Sequence, residues 1–414
     1  MTSKRILVSA YGCEPGKGSE QGVGWNWVLQ LSEIGEIIVV TRANNQEAIE
    51  AALSAEIRSR ICFIYYDLPK TLRKFKNKDR GLYFYYFLWQ WGAYKKMRRE
   101  IAIKPVDYAM HLTFGSVWMP TFMHRLPVTF IWGPVGGGEA VPWSLIRSLP
   151  LKGRLAQYFR YFLIATVAVN PFFMGVTRKS KVILARTEDT KKIFPTRYSG
   201  KVKIMLETAA AENWFDRRQK SRAPEPGAAL QVIYTGRLVP LKNLLMAIRA
   251  VALARRRGAD IRFRIVGQGP MQSALEQLAA AEGIDEFVTF TGQCTQDEVF
   301  NLLAKSDAYL FPSLKEGGVW SLLEAMALSL PCLCVDTSGM SVIADDSCAR
   351  LIKPGPVERM VADFADALCE FAANPELRHE MGTNARKRLE REFRWEQKGA
   401  YMKALFDDLE RGMP

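Results

Sequence analysis

Two glutamates, eight residues apart, are the residues of this chain whose spacing most strongly suggests chemistry. Glu316 opens the segment EGGVWSLLE and Glu324 closes it, directly after an apolar run at residues 308–313. Eight residues make a little over two helical turns, so a glycine-rich loop can present Glu316 while the following helix carries Glu324. The loop also offers backbone N–H groups, and a helix N-terminus favours anions. The pattern predicts a site for a polyhydroxylated ligand; the alternative is two solvated glutamates on a helix surface.

Two cations follow an earlier apolar run at residues 230–235. Arg237 and Lys242 stand five residues apart in GRLVPLKN, which begins with a glycine turn. A planar guanidinium and a compact ammonium together suit a diphosphate. The carboxyl ends of parallel strands face the ligand crevice of an open sheet. The position therefore favours a diphosphate site over a basic surface loop.

A glycine-rich turn, GKGSEQG at residues 16–22, lies between the first predicted strand and the first predicted helix. It does not match GxGxxG, and Thr41 and Arg42 stand where a dinucleotide-binding fold carries its ribose-binding acid. Both departures argue against a nicotinamide-dependent dehydrogenase. What remains is a glycine-rich helix N-terminus around Gly18 that faces phosphate.

A histidine and a second glycine loop follow two further apolar runs. His111 ends the run at residues 106–110, and its position at a strand end predicts a ring that reaches the ligand crevice. Gly136, Gly137 and Glu139 belong to GPVGGGE, after the run at residues 128–132. Consecutive glycines cost backbone entropy. Close approach to a ligand explains them, which makes the three residues candidates for lining the crevice or the acceptor site, but a mobile loop explains them equally.

Apolar runs alternate with helical patterns along the whole chain, which predicts parallel sheets covered on both faces. The runs lie at residues 5–11, 37–41, 61–66, 106–113, 128–132, 182–185 and 202–206, and again at 230–235, 261–266, 287–291, 308–312 and 332–335.

A polar segment rich in Pro, Gly and charge interrupts this alternation at residues 217–228, and 414 residues are too many for one ordinary domain. We predict an α/β protein of two Rossmann-like, doubly wound domains facing across a cleft. The domains span residues 1–210 and 229–393, joined by a linker at 211–228. A C-terminal helix at 394–414 is expected to pack back on the first domain.

The chain has a formal net charge of +14, which favours anionic partners. Basic and aromatic residues interleave at residues 70–104 and again at 152–161. That pattern is typical of a segment at an anionic membrane surface, and equally of a buried helix with solvated ends.

The N-terminal apolar run is too short for a signal peptide, and no stretch reaches the length of a membrane span. Seven cysteines without a CxxC pair indicate reduced thiols. We expect a cytoplasmic protein, peripheral at the inner face of the membrane if the basic-aromatic segments bind lipid.

The motifs resemble those of the family-4 retaining glycosyltransferases of the GT-B fold. In the second half the resemblance rests on GRLVPLKN, IVGQGP, VTFTG and FPSLKEGGVWSLLEAMALSLP, at residues 236–243, 265–270, 288–292 and 311–331. In the first half it rests on YGCEPGKGSEQGVGWNWV and GPVGGGE, at residues 11–28 and 133–139. The resemblance covers nearly the whole chain and is to members that build exopolysaccharide or other surface glycans.

The resemblance implies roles for the charged residues of the second half. Arg237 and Lys242 would hold the diphosphate of a nucleotide-sugar donor. Glu324 would bind the ribose hydroxyls, and Glu316 would contact the donor sugar.

It also implies roles for residues around them. Gly317 and Gly318 would close around the donor phosphates, and Gly18 would sit under the diphosphate from the other domain. His111 would bind the donor sugar and shape the reaction centre.

The implied reaction moves a sugar from a nucleoside diphosphate sugar, UDP- or GDP-linked, to a hydroxyl with retention of configuration. The acceptor would be a lipid-linked or oligosaccharide intermediate of surface polysaccharide synthesis. The sequence has no DxD motif and no clustered ligand set, so we expect no essential metal and no cofactor besides the donor.

Two other functions fit the same architecture. A sugar-nucleotide epimerase would need acid and base carboxylates but no acceptor surface. A sugar-nucleotide sensor or non-catalytic subunit would keep the donor site without turnover. A nucleic-acid partner is not expected, because only the net positive charge suggests one and no motif that reads a nucleic-acid groove is present.

Overall fold

The computed structural model describes residues 4–73, 81–119, 121–217 and 228–412. It contains two compact units. The first comprises Met1–Gly138, Leu163–Glu207 and Trp395–Pro414; the second comprises Glu139–Phe162 and Thr208–Arg394. The chain thus leaves the first unit at Glu139 and returns at Leu163, well before the segment predicted as a linker. Residues 218–227 of that segment lie outside the described residues.

Seven parallel strands form the sheet of the first unit. They are β1 (Lys4–Ser9), β2 (Gly35–Arg42), β3 (Ile61–Tyr66), β4 (Tyr108–His111), β5 (Thr129–Val135), β6 (Ser180–Ala185) and β7 (Val202–Ile204). Their order is β3-β2-β1-β4-β5-β6-β7. The winding direction therefore reverses between β1 and β4, where open sheets of this kind bind ligands. Each strand overlaps an apolar run that predicted it.

Six parallel strands form the sheet of the second unit. They are β8 (Leu230–Thr235), β9 (Ile261–Val266), β10 (Val288–Gly292), β11 (Ala308–Phe311), β12 (Cys332–Val335) and β13 (Ala349–Ile352). Their order is β10-β9-β8-β11-β12-β13, with the reversal between β8 and β11. Sequence patterning predicted the first five and missed β13. The predicted α/β class with two doubly wound sheets is confirmed.

Helices connect the strands of both sheets. They are α1 (Ser19–Ser32), α2 (Gln46–Ala52), α3 (Ala55–Arg60), α4 (Lys70–Arg73), α5 (Leu82–Ile103), α6 (Leu151–Thr166), α7 (Pro171–Lys179), α8 (Glu188–Lys192), α9 (Leu244–Arg256), α10 (Gln272–Ala281), α11 (Gln296–Leu303), α12 (Trp320–Ala327), α13 (Met340–Ile343), α14 (Val357–Ala373), α15 (Pro375–Glu392) and α16 (Trp395–Glu410).

The C-terminal helix α16 packs within the first unit. The indole of Trp395 meets that of Trp27 on α1 edge to face, with ring centroids 6.0 Å apart. Lys398, which is buried, donates from Nζ to the carbonyl oxygen of Leu206 at 2.7 Å. Burial lowers the pKa of Lys398 to about 8. These contacts hold the C-terminal helix against the first unit, which also contains the N-terminal residues of the chain.

Helix α5 lies in the first of the two basic-aromatic segments, whose residues 74–80 fall outside the described part. Tyr85, Tyr86 and Trp89 are buried in the core of the first unit, whereas its cations Arg98 and Arg99 are exposed. This helix is therefore a core helix with solvated charges. No single helix in the described parts of the chain has the length and apolar content to cross a membrane. The run through α6 to Val169 meets that test only together with α7, to which it is bent by 55°.

Candidate functional site

The loops after β8 and β11 meet at the carboxyl edge of the second sheet. The two strands are direct neighbours, with Tyr309 paired to Ile233. Beyond the strands, the N–H of Leu314 donates to the carbonyl oxygen of Leu241 at 2.9 Å. The loop that carries Arg237 and Lys242 and the loop that carries Glu316 are thus joined at the point where the winding reverses.

Lys242 and Glu316 form an ion pair in these loops. Nζ of Lys242 lies 2.6 Å from Oε1 of Glu316, and the hydroxyl of Ser313 donates to the same oxygen at 2.5 Å. The ammonium also lies 4.7 Å from the ring centroid of Phe311, a cation–π distance. Both charged side chains are less than one-fifth exposed. The pair is therefore fixed by several contacts and largely shielded from water.

The backbone of the Glu316 loop rests on Gly339. The N–H of Gly339 donates to the carbonyl oxygen of Glu316 at 3.1 Å. A Cβ atom on Gly339 would lie 1.8 Å from the carbonyl oxygen of Gly317, which no side chain can occupy. Gly317 and Gly318 are half-buried and lead directly into α12. Gly339, which follows β12 in the sequence, therefore packs directly against the predicted phosphate loop.

Glu324 lies on α12 and is half-buried. Its Oε1 accepts a hydrogen bond from Nε2 of Gln296 at 3.3 Å. Burial raises the pKa of Glu324, while the bond from Gln296 and the charge of Arg217 act in the opposite direction. A partly shielded carboxylate of this kind can accept hydrogen bonds from ligand hydroxyls.

Arg237 lies at the edge of an open pocket of about 830 Å³ in the second unit. The pocket is lined by residues that follow β8, β9 and β10: Thr235, Gly236, Arg237, Val266, Gly267, Gln268, Gly269, Gln272, Gln293, Cys294 and Val299. The Arg237 side chain is exposed. A Cβ atom on Gly267 would lie 1.9 Å from the carbonyl oxygen of Gly236, so a glycine is needed for this close approach. The pocket volume is in the range of small-molecule sites.

Lys315 directly precedes Glu316 and was not among the residues singled out from the sequence. It is half-buried, and burial together with the charge of Arg160 lowers its pKa to about 8, against the opposing charges of Glu139 and Glu316. Nη2 of Arg160 lies 3.9 Å from Oε2 of Glu139. The excursion Glu139–Phe162 thus brings Glu139, a predicted residue, into the second unit. No local pattern signals this cluster, because it depends on contacts across about 150 residues of sequence.

In the first unit, the loops after β1 and β4 are joined in a similar way. The N–H of Gly12 donates to Oγ1 of Thr113 at 3.0 Å. A carboxylate oxygen of Glu20, in the first turn of α1, accepts the N–H of Phe114, which adopts a φ of +55°. Such a conformation is strained in a non-glycine residue and persists where the surroundings hold it. Gly18 is exposed just before α1.

Glu20 was not among the predicted site residues. Burial raises its pKa, and the charge of Arg186 opposes that effect. Arg186 in turn pairs with Glu207 at 3.2 Å. The signal was present in GKGSEQG, where an acid stands in the first turn of a helix that follows a glycine loop.

His111 ends β4, as its sequence position predicted, but its ring is enclosed. The residue is only 1% exposed, and Nε2 lies 3.3 Å from the hydroxyl of Tyr86 on α5. Burial lowers the pKa of His111 to about 4, against the effect of a backbone hydrogen bond with Phe114. The imidazole is therefore neutral at pH 7. In the structure it faces a buried tyrosine, so the expected open exposure of the ring is not found, and its contact with a ligand stays a prediction.

The second glycine loop is packed within the first unit. The N–H of Gly136 donates to the carbonyl oxygen of Gly115 at 2.8 Å. Gly137 has a φ of +140°, and a Cβ atom there would lie 2.4 Å from Cγ2 of Val117. Gly138 donates its N–H to Oγ1 of Thr190 at 3.1 Å. Close packing of the chain on itself requires glycine at positions 137 and 138, a third explanation beside the two that the sequence suggested.

Comparison with known proteins bears on the second unit. Residues 215–388 match the family model described as glycosyl transferases group 1. The matched residues lie within the second unit and make up less than half of the chain. Arg237, Lys242, Glu316 and Glu324 all lie within the matched residues.

Curated relatives match part of the chain over part of their own length. The chain is 31% identical over 154 residues to alpha-D-kanosaminyltransferase of Streptomyces kanamyceticus, covering 37% of this chain and 39% of that protein. It is 29% identical over 153 residues to the putative colanic acid biosynthesis glycosyltransferase WcaL of Salmonella typhimurium, covering 36% and 37%. The chain spans about two fifths of the length of the curated relatives it matches.

Solved glycosyltransferase structures match over almost the whole chain. The lipopolysaccharide outer core galactosyltransferase WaaB has a TM-score of 0.62 at 14% identity, covering 97% of this chain and 99% of its own. Anabaena HepE in complex with UDP has a TM-score of 0.61 at 13% identity, covering 98% and 100%. At these identities the likeness concerns the fold alone, the α/β architecture with two parallel sheets that GT-B glycosyltransferases have.

The predicted residues thus fall into three groups. Within the matched residues lie Arg237, Lys242, Glu316, Gly317, Gly318 and Glu324, whereas Glu139 belongs to the second unit but precedes them. Gly18, His111, Gly136 and Gly137 belong to the first unit and lie outside the matched residues.

Proposed function

We propose that the protein is a retaining glycosyltransferase that moves a sugar from a nucleoside diphosphate sugar to a hydroxyl acceptor. The observation that carries the proposal is the shielded Lys242–Glu316 pair, 2.6 Å apart at the reversal point of the second sheet. A cation suited to a diphosphate and an anion suited to a sugar lie side by side there, within the residues that match the family model of glycosyl transferases group 1, and this supports the proposal.

The barrier of such a reaction is dominated by charge, because diphosphate leaves while the sugar becomes oxocarbenium-like. Lys242 and Arg237 would stabilise the departing diphosphate, together with N–H groups of the Gly317-Gly318 loop. When Lys242 pairs with the phosphate, it neutralises the carboxylate of Glu316 less completely. Its negative charge then acts more strongly on the developing cation of the sugar.

We propose a UDP- or GDP-sugar donor that binds in the pocket beside Arg237. Two features support this choice. The pocket of about 830 Å³ has room for a nucleotide, and the similar fold of Anabaena HepE was solved with UDP. Glu324 would accept hydrogen bonds from the ribose hydroxyls. We further propose that transfer needs neither a metal nor another cofactor.

We propose a lipid-linked or oligosaccharide acceptor in surface polysaccharide synthesis, on the cytoplasmic side. Support comes from two similar proteins, the putative colanic acid biosynthesis glycosyltransferase WcaL and the lipopolysaccharide outer core galactosyltransferase WaaB. His111, Gly18, Gly136 and Gly137 would contribute to this reaction from the first unit, and Glu139 from the second.

The donor is tested by thermal unfolding of the full chain with UDP-, GDP-, ADP- and TDP-sugars, since a ligand of the native state raises its stability. One donor class should raise the melting temperature, and Lys242→Ala should abolish that rise. If none of the sugars stabilises the wild type, the donor assignment is wrong.

The reaction is tested by NMR of the product formed with the stabilising donor and an oligosaccharide acceptor. Retention of the anomeric configuration supports the proposal, and inversion contradicts it. An epimerised donor in the absence of any acceptor would instead establish the epimerase alternative.

A further inference from the structure

Helix α6 turns a continuous apolar stripe toward solvent. Five of its large apolar residues are between 41% and 70% exposed: Leu151, Leu155, Tyr158, Phe159 and Phe162. Their spacing of four, three, one and three residues places them on one arc of about 100°. Gln157 is the one residue of the helix that is buried. A stripe of this width normally faces a protein core, so its exposure marks a surface that something else covers.

The opposite face of α6 is polar and holds the helix to the protein. Oε1 of Gln157 accepts the N–H of Val141 at 3.3 Å, and the hydroxyl of Tyr161 donates to the carbonyl oxygen of Val141 at 2.9 Å. The Arg160 guanidinium donates to the carbonyl oxygen of Glu139. The helix is thus inverted with respect to an ordinary surface helix, with hydrogen bonds inside and apolar side chains outside. These bonds fix one face, so the stripe cannot turn inward while they persist.

Trp143 extends the stripe beyond the helix. Its side chain is 64% exposed, and its ring packs edge to face on those of Tyr158 and Tyr161, at centroid distances of 5.5 and 5.2 Å. Indole and phenol rings combine an apolar body with a polar tip, which suits the boundary between water and acyl chains.

The sequence around α6 is rich in Lys and Arg, although Arg160 of the helix pairs with Glu139. Residues 140–187 contain eight Lys and Arg and no Asp or Glu. On the helix itself, Lys152 is exposed and Arg154 half-exposed beside the stripe. An anionic bilayer offers both an apolar layer for the stripe and a negative surface for the cations. A purely apolar protein partner would cover the stripe but would offer no negative charge to the neighbouring Lys and Arg side chains.

We infer that the α6 face, defined as Trp143, Leu151, Leu155, Tyr158, Phe159 and Phe162, lies in the headgroup layer of an anionic membrane. The helix axis runs in the plane of the bilayer, because the bonds of Gln157, Arg160 and Tyr161 keep its polar face on the protein. This inference places the contact on α6 rather than α5 and does not depend on the proposed enzymatic function.

The test is co-sedimentation of the full chain with vesicles of phosphatidylcholine, with and without phosphatidylglycerol. The wild type should bind the anionic vesicles and bind less as salt is raised, because screening shortens the reach of the cations. The triple variant Leu155→Gln/Phe159→Gln/Phe162→Gln should bind at least about tenfold less, since it removes apolar area from the stripe.

A matched control uses exposed aromatic residues of the other basic-aromatic segment. Tyr83 and Phe84 at the start of α5 are 68% and 60% exposed. The variant Tyr83→Gln/Phe84→Gln should bind vesicles as the wild type does. Thermal unfolding with the stabilising nucleotide sugar, or with none if no sugar binds, reports whether each variant is folded. Membrane binding and donor binding are thereby scored separately.

Four results would overturn the inference. They are a wild type that ignores anionic vesicles at low salt, a triple variant that binds like the wild type, and a loss of binding in the Tyr83/Phe84 variant alone. The fourth is a dimer by light scattering that the triple variant dissociates, which would make the α6 face a contact between two copies of the chain.

Discussion

Nζ of Lys242 and Oε1 of Glu316 lie 2.6 Å apart, although 74 residues separate them in the sequence. Ser313 donates to the same carboxylate oxygen, and Phe311 lies under the ammonium. The fold therefore holds this ammonium in a fixed position beside a carboxylate. Preorganised charge of this kind stabilises a transition state without the cost of moving groups during reaction.

Removing either cation of the proposed diphosphate site should greatly slow sugar transfer. We expect Lys242→Ala and Arg237→Ala each to lower kcat/KM by at least about a hundredfold, as for loss of one electrostatic donor at a transition state. The control is Lys305→Ala, an exposed lysine that precedes β11 at the opposite edge of the sheet. Near-normal turnover in both site variants would show that neither residue holds the diphosphate.

The two glutamates should affect different kinetic constants. Glu324→Gln should mainly raise KM for the donor, because a ribose contact is present in the ground state and the transition state alike. Glu316→Gln should mainly lower kcat, because a charge near the developing cation matters most in the transition state. Steady-state kinetics with varied donor measures both, and equal effects on the same constant would refute the division.

The strands and the charged motifs were predictable because they are local. Buried parallel strands are short apolar runs, and a loop at a strand end needs only its own residues to be recognised. The exception is β13, whose four residues ARLI include Arg350 and make too short a run to stand out. The sequence suggested a ligand-binding role for Lys242 and another for Glu316, but not the ion pair between them. Spacing along the chain does not give the distance between two loops that follow different strands.

Burial and orientation were not predictable in the same way. His111 was placed correctly at a strand end, but its enclosure depends on Tyr86 of α5. The pattern of α6 predicts an amphipathic helix without saying which side meets the protein, and here the polar side does. Periodicity fixes the faces of a helix, whereas tertiary contacts decide which face turns inward.

Gly339 should control the position of the phosphate loop. Its φ of −67° is ordinary for any residue, so Gly339→Ala acts only through the contact of 1.8 Å with the Gly317 carbonyl oxygen. We expect weaker donor binding in thermal-shift titrations. In the control Gly355→Ala, the new methyl group meets nothing closer than 3.9 Å. If both variants bind the donor like the wild type, Gly339 does not position the loop.

His111 should make the native state sensitive to acid. Its pKa falls from an ordinary 6.5 to about 4 on folding, so the unfolded chain binds more protons between those values. Stability from this group is complete above pH 6.5 and is lost as the pH falls toward 4. At about 1.4 kcal/mol per pKa unit, the loss is roughly 3 kcal/mol.

Urea unfolding across this pH range measures the effect. His111→Asn should flatten the dependence of the free energy of unfolding on pH, relative to the wild type. His379→Asn, at an exposed histidine on α15, should leave it unchanged. An identical pH dependence in His111→Asn and the wild type would contradict the enclosed, neutral state of His111.

Transfer should survive the removal of divalent metal. Among the residues that the structure describes, no group of three or more His, Cys, Asp and Glu side chains is placed to hold an ion. The positive groups Arg237 and Lys242 are expected to neutralise the diphosphate instead. Activity with EDTA should match activity without it. Complete loss that Mg²⁺ or Mn²⁺ restores would show that a metal shares this role.

The excursion Glu139–Phe162 has a consequence for dissecting the protein. A recombinant fragment that starts at Thr208 would contain all the residues that match the glycosyl transferases group 1 model but would lack Glu139 and Arg160. Lys315 would then lose the neighbours that shield it, and its pKa should return toward the ordinary value of 10.5. Chimeras between relatives face the same constraint. A chimera that exchanges the second unit should take Glu139–Phe162 and Thr208–Arg394 from the same protein. The exchanged unit is then encoded by two separate stretches of the gene, although it is compact in space.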